Sequence, residues 1–178
     1  MKRLTVLLVS TLVMAGCSAS TNPTTAKAET SNKPQQILSA IPARMAYLTS
    51  PVPGVIKQLK SRIGKTWYVF SGWQPSGWDC SGMTKWAYAQ LGVVLPHSAN
   101  AQGHMGVRVS RPQIGDVVVF GYGNYFVHAA IYVGAGKVIH AGFRPGTTTA
   151  IISLKSHSFD GMRIVFRRIL PKPKLALF

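Results

Sequence analysis

Hydrophobic and polar residues recur along this chain with two different periods, helical in the first part and strand-like in the second. Apolar residues from Val55 to Ile63 keep helical spacing after a Pro-Gly start, which predicts a first helix closed by Gly64. The same spacing returns from Cys80 to Leu91, and Gly92 suits the C-terminal end of this second helix. The pattern therefore predicts two helices and places a cysteine at the N-terminus of the second.

The region Val93–Val109 keeps neither period, and we interpret it as a loop. Strand-like runs follow it, each rich in β-branched or aromatic residues and bounded by Gly, Pro or Asn. These runs are Asp116–Phe120, Phe126–Val133, Lys137–Ala141, Thr148–Ile152 and Arg163–Ile169. Because the helices precede the strands, we predict an α+β domain with N-terminal helices packed on a central antiparallel β-sheet of about five to six strands.

The first residues have the pattern of a targeting segment. Lys2 and Arg3 precede an apolar run that is shorter than the ~20 residues a membrane-spanning helix needs. We therefore predict a signal peptide at residues 1–16. The sequence Met-Ala-Gly-Cys that ends at Cys17 resembles the bacterial lipoprotein box, so Cys17 is the predicted lipidation site. A plain signal peptide that leaves Cys17 as an ordinary thiol is the alternative.

The composition changes after this segment. Residues 18–39 are rich in Ser, Thr, Asn, Ala, Lys and Gln and contain no aromatic residue, which is typical of a flexible tether. We expect a lipid-anchored tether at residues 17–50 and the globular domain at residues 51–178. This organisation predicts an extracytoplasmic lipoprotein held at a membrane. Ser18 resembles the pattern of lipoproteins on the periplasmic face of an outer membrane, if the cell has one.

The net charge of the chain indicates which kind of binding partner to expect. The chain carries 20 Lys and Arg residues against 4 acidic residues, a formal charge of +16, so its partner is expected to be anionic. Most basic residues are scattered singly, and the cluster Arg163, Arg167 and Arg168 is not accompanied by a nucleic-acid-binding motif. We therefore predict contact with an anionic cell-envelope surface, and no nucleic acid.

The cysteine count points to chemistry at Cys80. The chain has two cysteines and one lies in the targeting segment, so a disulfide scaffold is excluded for the domain. A single cysteine in an oxidising compartment suggests a reactive role, although a buried structural cysteine is the alternative. Backbone N–H groups at a helix N-terminus stabilise a thiolate and can hold an oxyanion. We expect a lowered thiol pKa for Cys80, with Asp79 as the N-cap of its helix.

Two histidines are candidates for the base that such a cysteine needs. His128 and His140 lie in successive strand-like runs, each six residues from Gly134. If the connecting loop has an odd number of residues, they share a sheet face and His140 orients His128; with an even number they face opposite sides and the triad fails. The remaining histidines of the domain, which we interpret as loop residues, are His97, His104 and His157. No ligand spacing typical of zinc appears, and we expect no metal or other cofactor.

The segment Gly77–Met83 resembles the Gly-Phe-Asp-Cys-Ser-Gly-Leu motif of the NlpC-type cell-wall cysteine peptidases, a papain-like family. Similar matches to this family occur in the segments Tyr68–Gly72, Leu95–Ser98, Gly115–Phe120 and His128–Gly134. In Leu95–Ser98 a histidine stands where the family segment has arginine. The resemblance runs from Val55 to Leu170 and implies a papain-like NlpC-type fold.

The resemblance also implies roles for particular side chains. Cys80 is the expected nucleophile, His128 the general base and acid, and His140 the residue that orients it. The residues expected to serve the oxyanion or bind substrate are Tyr68, Asp79 and Ser81.

The family resemblance implies hydrolysis of amide bonds in peptidoglycan stem peptides, as a D-glutamyl-diamino-acid endopeptidase with a Cys-His-His mechanism. Two alternatives remain open. One is a thiol amidase or acyltransferase acting on another substrate, and the other is a non-catalytic wall-binding lipoprotein. The presence of Cys80, His128 and His140 together counts against the second, because a binding module would not need all three.

Overall fold

The structure is a computed structural model that describes residues 50–170. The predicted signal peptide, the lipidation site Cys17 and all but the last residue of the predicted tether therefore lie outside the described residues. Within residues 50–170, no helix is both long and apolar enough to cross a membrane.

Three helices precede the main sheet or lie beside its first strand: α1 at Val52–Lys60, α2 at Cys80–Ala89 and α3 at Ala99–Gln102. Helix α1 is shorter than the apolar pattern predicts, because Ile63 lies beyond it and is 38% exposed. Helix α3 lies within the region that we interpreted as a loop. Its four residues are too few for a periodic pattern to reveal it.

The described residues form a two-stranded hairpin and a six-stranded antiparallel sheet, in agreement with the predicted α+β class. The strands are β1 at Trp73–Gln74, β2 at Gly77–Trp78, β3 at Val107–Val109, β4 at Val117–Tyr122, β5 at Tyr125–Gly134, β6 at Lys137–His140, β7 at Ala150–Ser153 and β8 at Arg163–Arg168. The six-stranded sheet has the order β3-β8-β4-β5-β6-β7. The five predicted runs match β4 to β8, whereas the short edge strand β3 was missed inside the predicted loop.

The central strands bury both of their faces. Val117 and Val119 of β4 pack with the helices, in a cluster that includes Leu59 of α1 and Met83 of α2. The alternate residues of the same strand join a smaller cluster around Phe159 on the other face. A continuous apolar run such as that of β4 is typical of a strand covered on both sides. The packing fixes α2 against the sheet and brings its N-terminus to β5.

The β5–β6 hairpin corrects the loop argument made from the sequence. Gly134 pairs with Lys137, so the turn has an even number of residues, Ala135 and Gly136, both with positive φ. The register shifts between Tyr132 and Gly134, however, so Val133 is an extra residue in β5. The extra residue shifts the alternation of side chains between the two sheet faces by one position, and this cancels the effect of the even-numbered turn. The two histidines therefore share a sheet face in spite of the two-residue turn.

Candidate active site

The N-terminus of α2 holds Cys80, and Asp79 caps it. The Asp79 backbone is extended, and its Oδ1 atom accepts hydrogen bonds from the Gly82 N–H at 2.7 Å and the Ser81 hydroxyl at 3.0 Å. This is the N-cap geometry that the sequence predicts. The cap leaves the N–H groups of Cys80 and Ser81 free to point at the Cys80 sulfur. An anion formed at this sulfur would meet these two donors of the helix N-terminus.

The Cys80 thiol has a raised pKa, contrary to our expectation from the helix N-terminus. Burial is the largest cause, because a thiolate loses hydration there, and the negative charge of Asp79 adds to it. The backbone N–H groups of Ala129, Ser81 and Cys80 donate to the sulfur and lower the pKa, but they do not outweigh burial. The resting cysteine is therefore a neutral thiol, and its activation requires a base.

His128 of β5 and His140 of β6 form a buried pair. The Nε2 atom of His128 lies 3.2 Å from the Nδ1 atom of His140, and the two rings meet edge to face. The residue that follows His128 is Ala129, whose N–H donates to the Cys80 sulfur. The structure thus brings the two histidines together and places the strand that carries His128 against Cys80. Neither imidazole is among the residues that line the pocket around the thiol.

The backbone of Gly142 determines which nitrogen of each ring carries a proton. Its N–H donates to His140 Nδ1 at 3.2 Å, so this nitrogen carries a lone pair rather than a hydrogen. The proton in the contact between the rings must then come from His128 Nε2. It follows that a neutral His128 has a free lone pair on Nδ1, the form in which it can accept a proton from a thiol.

Both imidazoles are neutral in this environment. Burial lowers the pKa of His128 to about 3, with the neighbouring His140 as a further cause, and burial lowers the pKa of His140 to about 4. Phe143 stacks on the His128 ring with the ring centres 4.3 Å apart, and the centre of the Phe159 ring is 6.3 Å from that of His128. This aromatic cover excludes water from the pair and keeps the His128 ring neutral.

Sequence reasoning missed His97, which we had interpreted as a loop residue. Its Nε2 atom lies 3.0 Å from both carboxylate oxygens of Asp79, and both side chains are mostly buried. The Asp79 Oδ2 atom also accepts the Ser71 N–H at 3.0 Å. The signal was present in the chain, because His97 occupies the position of a cation in the family segment that Leu95–Ser98 resembles.

A second residue that sequence reasoning missed is Gln102, which is fully buried. Its Nε2 atom donates to the carbonyl oxygens of Ser81 and Pro96, and its Oε1 atom accepts the Thr84 hydroxyl. These bonds hold the His97 segment against the nucleophile helix. A lone glutamine in a region without periodic pattern gives no sequence signal for this role.

A cleft of about 520 Å³ opens above Cys80, within the size range of small-ligand sites. Tyr68 lines it, and the raised pKa of the Tyr68 hydroxyl, caused first by burial and then by the charges of Cys80 and Asp79, shows its proximity to both. Trp78, two residues before Cys80, is fully buried in the core and does not line the cleft. The aromatic residues that line the cleft besides Tyr68 are Phe70, Tyr125 and Phe126.

The remaining histidines lie away from the pair. His104 is exposed and bonds the Asn100 carbonyl oxygen at 2.8 Å, and His157 forms a solvent-exposed pair with Asp160 at 2.9 Å. Among residues 50–170, no group of three or more His, Cys, Asp or Glu side chains is arranged to hold a metal ion.

Comparison with known proteins gives one consistent family. The family model described as NlpC/P60 family matches residues 64–163. A Corynebacterium glutamicum protein named as a probable endopeptidase is 34% identical over 128 residues, which are 71% of this chain and 57% of that protein. The chain thus spans little more than half the length of that relative, and it spans 18% of the Listeria monocytogenes protein named probable endopeptidase p60.

Solved structures give the same result. A crystal structure of an NlpC/P60 family protein from Bacillus cereus matches with a TM-score of 0.60 and 28% identity, over 67% of this chain and 40% of that chain. The NlpC/P60 domain of the peptidoglycan hydrolase SagA matches with a TM-score of 0.56 and 28% identity, over 66% of this chain and 98% of that chain. The six-stranded sheet with helices packed on it is therefore the fold of this family.

Proposed function

The chain belongs to the NlpC/P60 family, and from this premise we propose that it is a cysteine endopeptidase of the cell wall that cleaves amide bonds in the peptide stems of peptidoglycan. The observation that carries the proposal is the series of hydrogen bonds from Gly142 through His140 to His128, whose next residue, Ala129, donates its N–H to the Cys80 sulfur. These hydrogen bonds leave a free lone pair on Nδ1 of His128, which a protein that only binds the wall would not need.

In the proposed first step, the Cys80 thiol gives its proton to His128 Nδ1 and the sulfur attacks the carbonyl carbon of the scissile amide. The resulting imidazolium donates through Nε2 to His140 Nδ1, which stabilises the charge. The carbonyl oxygen becomes an oxyanion, for which the backbone N–H groups at the start of α2 and the Tyr68 hydroxyl are the proposed donors.

Collapse of this intermediate breaks the C–N bond. His128 then gives its proton to the leaving amine, and a thioester remains on Cys80. A water molecule, deprotonated by the same histidine, hydrolyses the thioester and restores the thiol.

Three features support a stem-peptide substrate. The names of the matched relatives include endopeptidases and a peptidoglycan hydrolase. The strong positive charge of the chain suits a polymer whose stems carry carboxylates. The family resemblance favours the bond after D-glutamate, so we propose D-glutamyl-diamino-acid endopeptidase activity, with Asp79 and Ser81 among the substrate-binding residues.

We also propose that the protein is a lipoprotein, with a signal peptide at residues 1–16, lipid on Cys17 and a tether up to residue 50 that lets the domain at 51–178 reach the wall. Mass analysis of the N-terminal peptide from the native host tests this. A diacylglyceryl mass on Cys17, and release of the Cys17→Ser form from membranes, is the expected result. An unmodified Cys17 in the secreted protein would remove the anchor from the proposal.

The test of the activity is digestion of purified peptidoglycan, with released fragments identified by mass. We expect stem-peptide fragments from the unchanged protein, and none from Cys80→Ala or His128→Gln. His157→Gln is the matched control, because His157 is fully exposed, pairs with Asp160 and does not line the cleft. We expect the activity of this variant to be unchanged. Equal activity of the Cys80→Ala form would refute the mechanism.

The same digestion separates the alternatives. Transfer of the acyl group to an added amine, with little hydrolysis in its absence, would identify an acyltransferase. Tight binding to peptidoglycan without fragments from any form would identify a non-catalytic wall-binding protein.

A further inference from the structure

The described part of the chain has few carboxylates, and each of them is engaged. Asp79 pairs with His97, Asp160 pairs with His157, and Asp116 pairs with Arg168. The other basic side chains of residues 50–170 have no carboxylate partner in this part of the protein. A basic side chain that lies close to another cation and away from water would therefore be stabilised by an external anion.

The structure separates the three arginines of the β8 cluster. Arg168 donates to both Asp116 oxygens, at 3.0 and 2.8 Å, and is part of the framework. Arg163 donates to the Gly123 carbonyl oxygen and the Asn124 side chain, which braces the β4–β5 turn. Arg167 differs from both, because its Nε atom is buried from solvent and has no hydrogen-bond partner.

A second arginine lies directly across from Arg167. The register of β3 with β8 pairs Arg108 with Arg167, and residues opposite each other in an antiparallel pair point to the same face. Two like charges so placed repel each other, and a buried N–H without an acceptor adds a further cost. On the opposite side of β8, Val117 of β4 is the neighbour of Arg167 and supplies no polar side chain.

We propose that Arg108 and Arg167 form a carboxylate-binding site. Its ligand is a carboxylate on a peptidoglycan stem other than the stem that is being cleaved. The guanidinium group binds carboxylates through two parallel N–H bonds, and a carboxylate held by the outer N–H groups of both arginines would offset their repulsion. This inference rests on the proposed function, because the wall substrate provides carboxylates in series along one polymer.

The position of the site fits a second contact on the same polymer. In the sheet, β8 is separated from β5 by β4, so Arg167 is about two strand spacings, ~10 Å, from the strand that carries His128. Neither arginine lines the Cys80 cleft. The site would therefore hold the polymer without taking part in the bond cleavage.

The test measures binding of the full-length protein, in a Cys80→Ala background so that the wall is not digested, to peptidoglycan freed of phosphate-containing polymers. We expect Arg108→Gln with Arg167→Gln to lower the affinity about tenfold and to reduce its dependence on salt. The matched control is Lys57→Gln with Lys60→Gln, which removes the same charge from the exposed side of α1 and should change the affinity less than twofold.

Two further measurements keep the outcome unambiguous. Arg108→Gln alone, at an exposed position, should keep or raise the thermal stability, since it removes a like charge from beside Arg167. Hydrolysis of a short soluble stem peptide by the Cys80-containing double variant should equal that of the unchanged protein. Loss of this hydrolysis in every form would refute the proposed function but not the binding result.

Either of two outcomes would overturn the inference. One is an equal loss of affinity in the lysine control, which would mean that only net charge matters. The other is unchanged affinity of the arginine variant for peptidoglycan with a loss confined to phosphate-bearing wall polymer, which would assign the site to phosphate instead.

Discussion

Replacing Asp79 by asparagine removes one negative charge from the N-cap of α2 while keeping the shape of the side chain. In the folded protein the carboxylate accepts hydrogen bonds from the N–H groups of Ser71 and Gly82 and from the Ser81 hydroxyl, and it pairs with His97. The amide can keep the two bonds on Oδ1, but its NH₂ group then faces the Ser71 N–H, which is also a donor.

The size of the effect follows from these contacts. A hydrogen bond to a charged group contributes about 1 kcal/mol more than a neutral one, and the two bonds on Oδ1 are buried. The bond from Ser71 is partly exposed and contributes less. We therefore expect Asp79→Asn to lower the free energy of unfolding by about 2 kcal/mol. Because the charge of Asp79 raises the pKa of the Cys80 thiol, the same change should lower that pKa.

Two assays measure these effects, in a Cys17→Ser background so that Cys80 is the single thiol. Urea unfolding gives the stability, and the pH dependence of the rate of alkylation by iodoacetamide gives the thiol pKa. The control is Asp160→Asn, in which a solvent-exposed aspartate that also pairs with a histidine undergoes the same chemical change. We expect it to alter neither quantity measurably. A raised thiol pKa in Asp79→Asn, or a stability equal to that of the control, would refute the reasoning.

The free energy of unfolding should fall as the pH is lowered from about 6.5 toward 4. In the folded protein the pKa of His128 is about 3 and that of His140 about 4, against 6.5 for each when unfolded. The unfolded state therefore binds more protons in this pH range. Urea unfolding across this range should show a shallower slope for His140→Gln, and an unchanged slope would contradict the neutral pair. Gly82→Ala should disrupt the site, since a methyl group there collides with the Gly72 carbonyl oxygen, whereas Gly54→Ala in α1 has open space and should leave activity and stability intact or slightly raised. Activity and circular dichroism melting compare the two variants, and equal behaviour would contradict the close approach.

Much of the fold and part of the site could be predicted from the sequence because the signals are local. The helix that begins at Cys80 follows from apolar spacing and from the Asp79 cap one residue before it. The central strands follow from continuous β-branched runs, since a strand buried on both faces needs apolar residues at every position. The equal distance of the two histidines from Gly134 was also readable, but it left open whether they share a sheet face, because that depended on the loop.

Tertiary structure decided what depends on residues far apart in the sequence or on burial. The bulge at Val133 placed both histidines on one face, although the turn length alone argued against it. Burial against the sheet reversed the expected direction of the Cys80 pKa, because desolvation outweighs the three backbone donors. The contact of His97 with Asp79, and the separation of Arg167 from Arg168, arise from pairings that no local pattern encodes. The sequence by itself determined most of the elements and indicated the candidate residues for the chemistry, since propensity, capping and periodicity act within a few residues. Only the packed sheet and helices determined which of these residues touch, and hence their charge states.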